Sequence, residues 1–488
     1  MRLPSSALGV HDRAAVLRHA VIDRTAERLR QVAVRRPDAA GEPPPTMTEL
    51  STAVAAASAG GRPTGEDLDR LRAMAVRGRH RDCDGTAITA LGILADRFGD
   101  SGAQAWLGPA LAEAGRFDAA VARGAVFGPG RPRADHYPIM VTALDRLGNA
   151  DEAAALARSL DRRFPALRRA FTHIWADDPV GQAYRRLVQD SPGRPATAGG
   201  REQLPVFQHL PFCAGSSMQF GLRQVVPLGR TLQIGRRSGL REIAAIHTMP
   251  ADELNALMLV HQHHPYALQV PGRRLRHFTV LRDPVSQLRS GFYKRTARAQ
   301  IVSTRDRRSA TFDQHADYLL AAGMTNQLTR MLITTHPELR TAFRRRFDRP
   351  SRFRTIRNEE DMFWLRSTRR FSDQKLLRLA HETLSENFAV VGTMAELQAS
   401  HLACTAAVGV PYAALLGHRG RSGQPRSNDD SATDRRLRDA NAVDQELYET
   451  YTARFITEHA ELITAVRASA AADPASSSGQ HAPADTSR

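Results

Sequence analysis

Two stretches of this 488-residue chain place small and polar residues where a strand gives way to a helix. In that setting the backbone itself binds anions, because the N–H groups of a helix's first turn have no intrahelical partner and the helix dipole favours negative charge there. The first stretch opens with Leu204-Pro205-Val206-Phe207-Gln208-His209-Leu210, a short apolar run bounded by proline that reads as a buried strand. It leads into Pro211-Phe212-Cys213-Ala214-Gly215-Ser216-Ser217, and Met218 to Arg223 continue with helical character. Gly215 lets a backbone come close to a ligand, and Ser216 and Ser217 add hydroxyl donors. The stretch lacks the GxxxxGK[ST] pattern of a nucleotide triphosphatase, and by itself it also fits an ordinary N-capped helix. In the second stretch, Leu275-Arg276-His277-Phe278-Thr279-Val280-Leu281 reads as another buried strand. It runs into Arg282-Asp283-Pro284-Val285, so that an arginine leaves the strand end, a proline opens a helix, and Ser290 follows eight residues after Arg282.

Taken together, the two stretches resemble the sulfotransferase family, in particular the branch of glycan O-sulfotransferases. Members carry a strand-loop-helix reading PKTAGTS or PKCAGTS that cradles a 5′-phosphosulfate. They also carry a strand followed by LRDPxxRxxSxYY, whose Arg and Ser hold a 3′-phosphate. Three further segments agree in order: Thr325-Asn326-Gln327-Leu328-Thr329-Arg330-Met331-Leu332, Glu386-Asn387-Phe388-Ala389-Val390-Val391-Gly392, and Asn441-Ala442-Val443-Asp444-Gln445-Glu446-Leu447-Tyr448. They resemble the family's NxxTRxL, NFxVVG and NxxDxxLY segments. The resemblance implies a P-loop-like α/β sulfotransferase domain over 205–466 and 3′-phosphoadenosine 5′-phosphosulfate (PAPS) as cofactor. It also implies a hydroxyl acceptor, such as a carbohydrate. Arg282 and Ser290 would hold the 3′-phosphate, and Gly215, Ser216 and Ser217 would line the 5′ side.

Sulfuryl transfer needs in-line geometry, a base for the acceptor proton and cationic cover for the leaving oxygens. His261-Gln262-His263-His264 stands where the resemblance implies a base, with His263 in that role and His261 beside it. Plain surface histidines are the alternative, and a third zinc ligand is not apparent in the sequence. The chain departs from the family at one position. Phe212 follows Pro211 where the family has a lysine that stabilises the leaving group, and loss of such a donor costs roughly 10²–10³ in rate. Either another cation serves (Arg223, Arg282 and Lys294 are the nearest in sequence), or the enzyme is slow, or the domain has kept binding and lost catalysis.

The elements that would position these residues are legible in outline. From about 73 to 188 the pattern is helical and weakly repetitive. Gly115-Arg116-Phe117-Asp118-Ala119-Ala120 is echoed by Gly148-Asn149-Ala150-Asp151-Glu152-Ala153, with a fainter copy at Gly78. This resembles tetratricopeptide repeats, whose period is about 34 residues, with an irregular helical bundle as the alternative. Either way the segment offers a surface for a protein partner. Residues 1–72 read as a partly disordered leader, 189–204 as a linker and 467–488 as a disordered tail. The expected architecture is an all-α, repeat-like domain followed by an α/β domain with a mainly parallel sheet. The formal charge is +17, almost all from arginine, with lysine only at Lys294 and Lys375. Such a surface attracts phosphate, sulfate and carboxylate groups, and no known nucleic-acid-binding module accompanies it. The three cysteines, Cys83, Cys213 and Cys404, form neither a CxxC pair nor a disulfide framework. No apolar run long enough for a membrane span or a secretory signal is present, so a cytoplasmic protein is expected.

Overall fold

The computed structural model describes residues 84–97, 101–124, 137–163, 165–191, 203–234, 248–262, 268–301, 311–339, 368–416 and 431–472, with a few isolated positions besides. By internal contacts the chain divides into Met1–Gln104 and Ala105–Arg488. In the first unit, α1 (Asp84–Asp96) buries Ile88, Leu94 and Ala95.

The second unit begins within α2 (Ser101–Glu113), followed by α3 (Phe117–Gly124), α4 (Tyr137–Arg146) and α5 (Ala150–Arg163). Gly115 and Gly148 lie in the turns after α2 and α4 with φ of 73° and 84°, the left-handed conformation that stops a helix and turns it back. Two helical hairpins result, each closed by the glycine that the sequence pattern marks. After α6 (Pro165–Ala170) the chain makes a short strand, β1 (Phe171–His173), and then α7 (Pro179–Gln189). A wholly helical segment was expected up to 188. The difference arises because β1 pairs antiparallel with the distant β7 (Tyr412–Ala414), a partner that no local pattern announces.

The α/β part carries β2 (Gln203–Gln208), α8 (Gly215–Arg223), β3 (Thr231–Ile234), α9 (Ala251–Ala256), β4 (Leu259–Gln262), β5 (Arg274–Leu281) and α10 (Pro284–Ile301). It continues with α11 (Phe312–Ala321), α12 (Gln327–Leu332), α13 (Asp373–Asn387), β6 (Phe388–Thr393), α14 (Leu397–Val408), α15 (Ala432–Ala440), α16 (Ala442–Glu458) and α17 (Ala460–Ala472). The helix α17 thus extends past residue 467, where a disordered tail was expected. Strands β2 to β6 form a five-stranded sheet in the order β3-β4-β2-β5-β6, and every pairing in it is parallel. The protein is therefore α/β with a parallel sheet. Such strands are covered on both faces, which fits the burial of Leu204 to Gln208 in β2 and of His277 to Leu281 in β5.

The strand that comes first in the sheet lies at its centre. From β2 the chain moves to one side for β3 and β4, then crosses to the other side for β5 and β6. The carboxyl ends of β2 and β5 therefore flank the point where the winding reverses, which in open parallel sheets is where ligands bind.

One face of the sheet presents Phe207, Leu259, Phe278 and Val280 to Met218 and Leu222 of α8 and to Cys404 and Val408 of α14. The same cluster takes in Phe117, Val141, Leu144, Ala157 and Leu160 from the helical hairpins, so the hairpins and the sheet share one apolar core. Arg230, just before β3, donates from Nε to the Gly115 carbonyl at 2.9 Å and lies over the Phe117 ring. A Cβ at Gly115 would overlap Arg230, a second reason for glycine there. The opposite face packs Leu204, Val206 and Val260 against Leu254, Leu257 and Val270, and Leu281 against α12, α13 and α16. Among the described residues no helix is long and apolar enough to cross a membrane.

Candidate functional site

The loop from β2 to α8 is built on two non-glycine residues in the left-handed region, Phe212 at φ 63° and Ala214 at φ 56°. Each costs on the order of 1 kcal/mol or more and persists only where surrounding contacts impose it. Ala214 is the N-cap of α8, and no side chain caps the helix there. The first helical hydrogen bonds run from the Ser217 and Met218 N–H groups to the Ala214 carbonyl. The Gly215 and Ser216 N–H groups, which precede them, belong to the set that an α-helix cannot satisfy internally. Ser216 is exposed and Ser217 half-buried, so both hydroxyls can be reached from solvent.

The second turn starts where β5 ends. Asp283 accepts from the Ser286 N–H at 2.7 Å and so caps α10, and Pro284 takes the first helical position, where no N–H is needed. The Arg-Asp-Pro triplet thus has a local structural meaning, and it leaves Arg282 at the strand end. Because β2 and β5 are adjacent and parallel, the two turns meet. Arg282 Nη1 donates to the Phe212 carbonyl at 3.1 Å, and Gln287 Nε2 donates to the Pro211 carbonyl at 3.1 Å. Burial lowers the Arg282 pKa, partly offset by Cys213, Asp283 and Tyr448. A guanidinium is still charged after such a shift.

The structure brings Gly215, Ser216, Ser217 and Arg282 to one edge of the sheet, with Ser290 two turns into α10. Ser290 is buried, and the ring of Phe212 lies on its neighbour: a Cβ at Gly291 would be 3.0 Å from Phe212 Cε2. Gly215 also has a packing reason to be glycine. The room left by its missing Cβ is occupied by the His209 imidazole, which a Cβ would overlap. The ring of His209 stacks within 6° of parallel on Phe207 and within 17° on His261, which is buried in β4. His209 was overlooked in the sequence. The available signal was its position two residues after Phe207, which puts both side chains on the face of the strand that α8 covers. From the other side α8 is held at Gly221, whose missing Cβ leaves room for the fully buried His401 of α14. Burial pushes the His401 pKa down to about 4, with the Ala414 backbone opposing.

His263, the expected base, lies outside the described residues, as do the Gly78 copy of the repeat pattern and the loop from His418 to Ser427. Lys294 falls within α10, but its side chain is also outside them. Arg223 donates to Gln233 Oε1 at 2.8 Å, at the far end of α8 from the loop. Among the described residues no three His, Cys, Asp or Glu side chains converge as metal ligands.

Two other family-like segments clasp one another. Asn326 donates its N–H to Asn441 Oδ1 at 2.8 Å, and Asp444 accepts from the Leu328 and Thr329 N–H groups at 3.0 and 2.8 Å. Arg330 reaches the Thr325 carbonyl and Thr368. These residues brace α12 against α16 and do not line the loop.

A nucleotide with an anion at each end can be tested against this geometry. The donors fit in kind: an uncapped helix start with two hydroxyls at one turn, a guanidinium and a serine at the other. Two features count against it. Phe212 brings no charge, and its ring packs at Gly291, the neighbour of the buried Ser290. No protein-family model matches this chain, and no curated protein matches it either.

Proposed function

We propose that residues 205–466 form a sulfotransferase of P-loop-like fold, which moves the sulfuryl group of PAPS to a hydroxyl of a carbohydrate or other small acceptor. The observation that carries this reading is the contact between the two turns, Arg282 against the Phe212 carbonyl, at the carboxyl ends of adjacent parallel strands. It sets a cation and an uncapped helix start side by side, as a doubly phosphorylated nucleotide requires. When bound, the cofactor supplies an activated sulfuryl group on a 5′-phosphate. Gly215, Ser216 and Ser217 would hold the 5′ end through backbone and hydroxyl donors, and Arg282 with Ser290 the 3′-phosphate. His263 would take the acceptor proton. The helical hairpins, with their tetratricopeptide-like spacing, would present a surface to a protein partner.

Transfer of labelled sulfate from PAPS to a panel of glycans and lipids tests the reading. Activity that is lost in His263→Ala and falls roughly 100-fold in Arg282→Ala is expected. A native chain that transfers nothing to any acceptor, and neither binds nor is stabilised by adenosine 3′,5′-bisphosphate, rejects it.

A second reading has its own observation. Phe212 stands where the resemblance implies a catalytic lysine, and its ring rests on Gly291 next to Ser290. On this reading the domain binds the nucleotide, or a related anion, without catalysis and serves as a scaffold. Activity gained only in Phe212→Lys would favour it.

A further inference from the structure

We propose that His209 is the cation of the anion loop, in the place that Phe212 leaves vacant; this rests on the nucleotide site proposed above. Three features of the geometry support it. Gly215 is the first residue of α8, and the side where its Cβ would stand is filled by the His209 imidazole, with Nε2 at its nearest edge. The ring therefore lies beside the helix start, where the orphan N–H groups gather. It is also held in orientation by the parallel stack with Phe207 and His261, at centroid distances of 5.9 and 5.6 Å. Finally, His209 as a residue is half-buried, with Nδ1 buried and Nε2 the ring nitrogen at the helix start, whereas the side chain of Phe212 turns away to Gly291.

The charged groups around the ring give this arrangement a pH dependence. From β4, His261 faces His209 directly, and two imidazoles so close disfavour double protonation. Arg282, after β5, bonds to the Phe212 carbonyl of the loop, and Asp283 and the Cys213 thiol act on its charge. On α8 itself, Arg223 sits at the distant end, and His401 meets the helix at Gly221. A positive imidazole beside a helix N-terminus is unfavourable when the loop holds no anion. The proton thus arrives with the anion, and the histidine pair carries one charge, drawn to His209 as the member nearer the bound anion.

Calorimetric titration of the full chain with adenosine 3′,5′-bisphosphate, between pH 6 and 8 and in buffers of different ionisation enthalpy, measures this coupling. The native chain is expected to bind more weakly as pH rises through the imidazole range and to take up a proton on binding at pH 7.5. His209→Gln is expected to bind roughly 10-fold more weakly at pH 6 and to lose the proton uptake, leaving only the small release that comes from the phosphate itself. Gly215→Ala, whose Cβ displaces the ring, should behave like His209→Gln, and the double variant should be no weaker than either. Adenosine 3′-monophosphate should bind native and His209→Gln chains alike. Arg282→Ala should weaken bisphosphate binding at every pH and keep the proton uptake. Native affinity and native proton uptake in His209→Gln would overturn the role of His209 and leave the nucleotide site standing. A native chain with no bisphosphate binding at any pH would overturn both.

Discussion

Two helices of this molecule, α8 and α12, start from the same unusual backbone. Each has a non-glycine N-cap in the left-handed region, Ala214 at φ 56° and Asn326 at φ 51°, and neither has a side-chain hydrogen bond from that residue into its own first turn. What lies ahead of the two helix starts differs. At α12 the chain provides its own anion: Asp444, buried in α16, accepts from the Leu328 and Thr329 N–H groups. At α8 no carboxylate of the described residues caps the helix, and an imidazole and a guanidinium stand nearby instead. A helix start that faces a carboxylate of its own chain is a brace. On the proposed reading, one that faces an imidazole, a guanidinium and hydroxyls takes its anion from outside.

The comparison can be broken most severely at α12. Asp444→Ala leaves two buried N–H donors without an acceptor and should destabilise the fold by about 3 to 4 kcal/mol in urea unfolding, whereas Ser217→Ala at α8 should change stability by less than about 0.5 kcal/mol. Equal effects would mean that the two helix starts do the same work.

Acid should weaken the α8 side. The folded-state pKa of His401 is depressed to about 4, against an ordinary value near 6.5. Its contribution to stability is therefore fully present above about pH 6.5 and is lost as pH falls towards 4, by up to about 3 kcal/mol. Asp444 has the opposite sign, because burial raises its pKa and the folded chain takes up that proton before the unfolded one does. The slope of unfolding free energy between pH 6.5 and 4 should flatten in His401→Gln, and an unchanged slope would exclude His401 as its source.

Ligand should act on α8 alone. Adenosine 3′,5′-bisphosphate at about 100 times its dissociation constant should stabilise the native chain by about 2.7 kcal/mol in thermal unfolding. The same concentration should do much less for Arg282→Ala, and equal stabilisation of both chains would place the nucleotide elsewhere.

The smallest expected effect concerns the N-caps themselves. Ala214→Gly removes the strain of a left-handed alanine and should stabilise by up to about 1 kcal/mol. Asn326→Gly relieves less strain and loses the acceptor for the Asp444 N–H, so it should destabilise by about 1 kcal/mol. Chemical denaturation of both variants would show the two signs, and matching signs would remove the distinction between an open and a braced cap.

Much of the frame was legible in local residue patterns. The buried strands β2 and β5, the glycines that end α2 and α4, and the proline that opens α10 each depend on neighbours a few residues away. The pairing of Asn326 and Asp444 was not legible, although both segments stood out: their spacing says nothing about which helix a carboxylate will reach. β1 was hidden for a similar reason, since three residues form a strand only because Tyr412–Ala414 lies beside them. His209 escaped notice because a histidine at a strand end has many uses, and only the tertiary packing shows its ring filling the empty side of Gly215.

By itself the sequence marked two stretches where a strand gives way through a turn to a helix, one with glycine and serines and the other with an arginine ahead of a helix-opening proline. These are consequences of backbone preference and hydrogen-bond capacity within single segments. Tertiary structure alone decided that the turns touch, that Phe212 faces Gly291, and that His209 stands at the start of α8. Those outcomes depend on β2 and β5 lying side by side in a parallel sheet, and the packing of distant segments sets such adjacency where no local pattern encodes it.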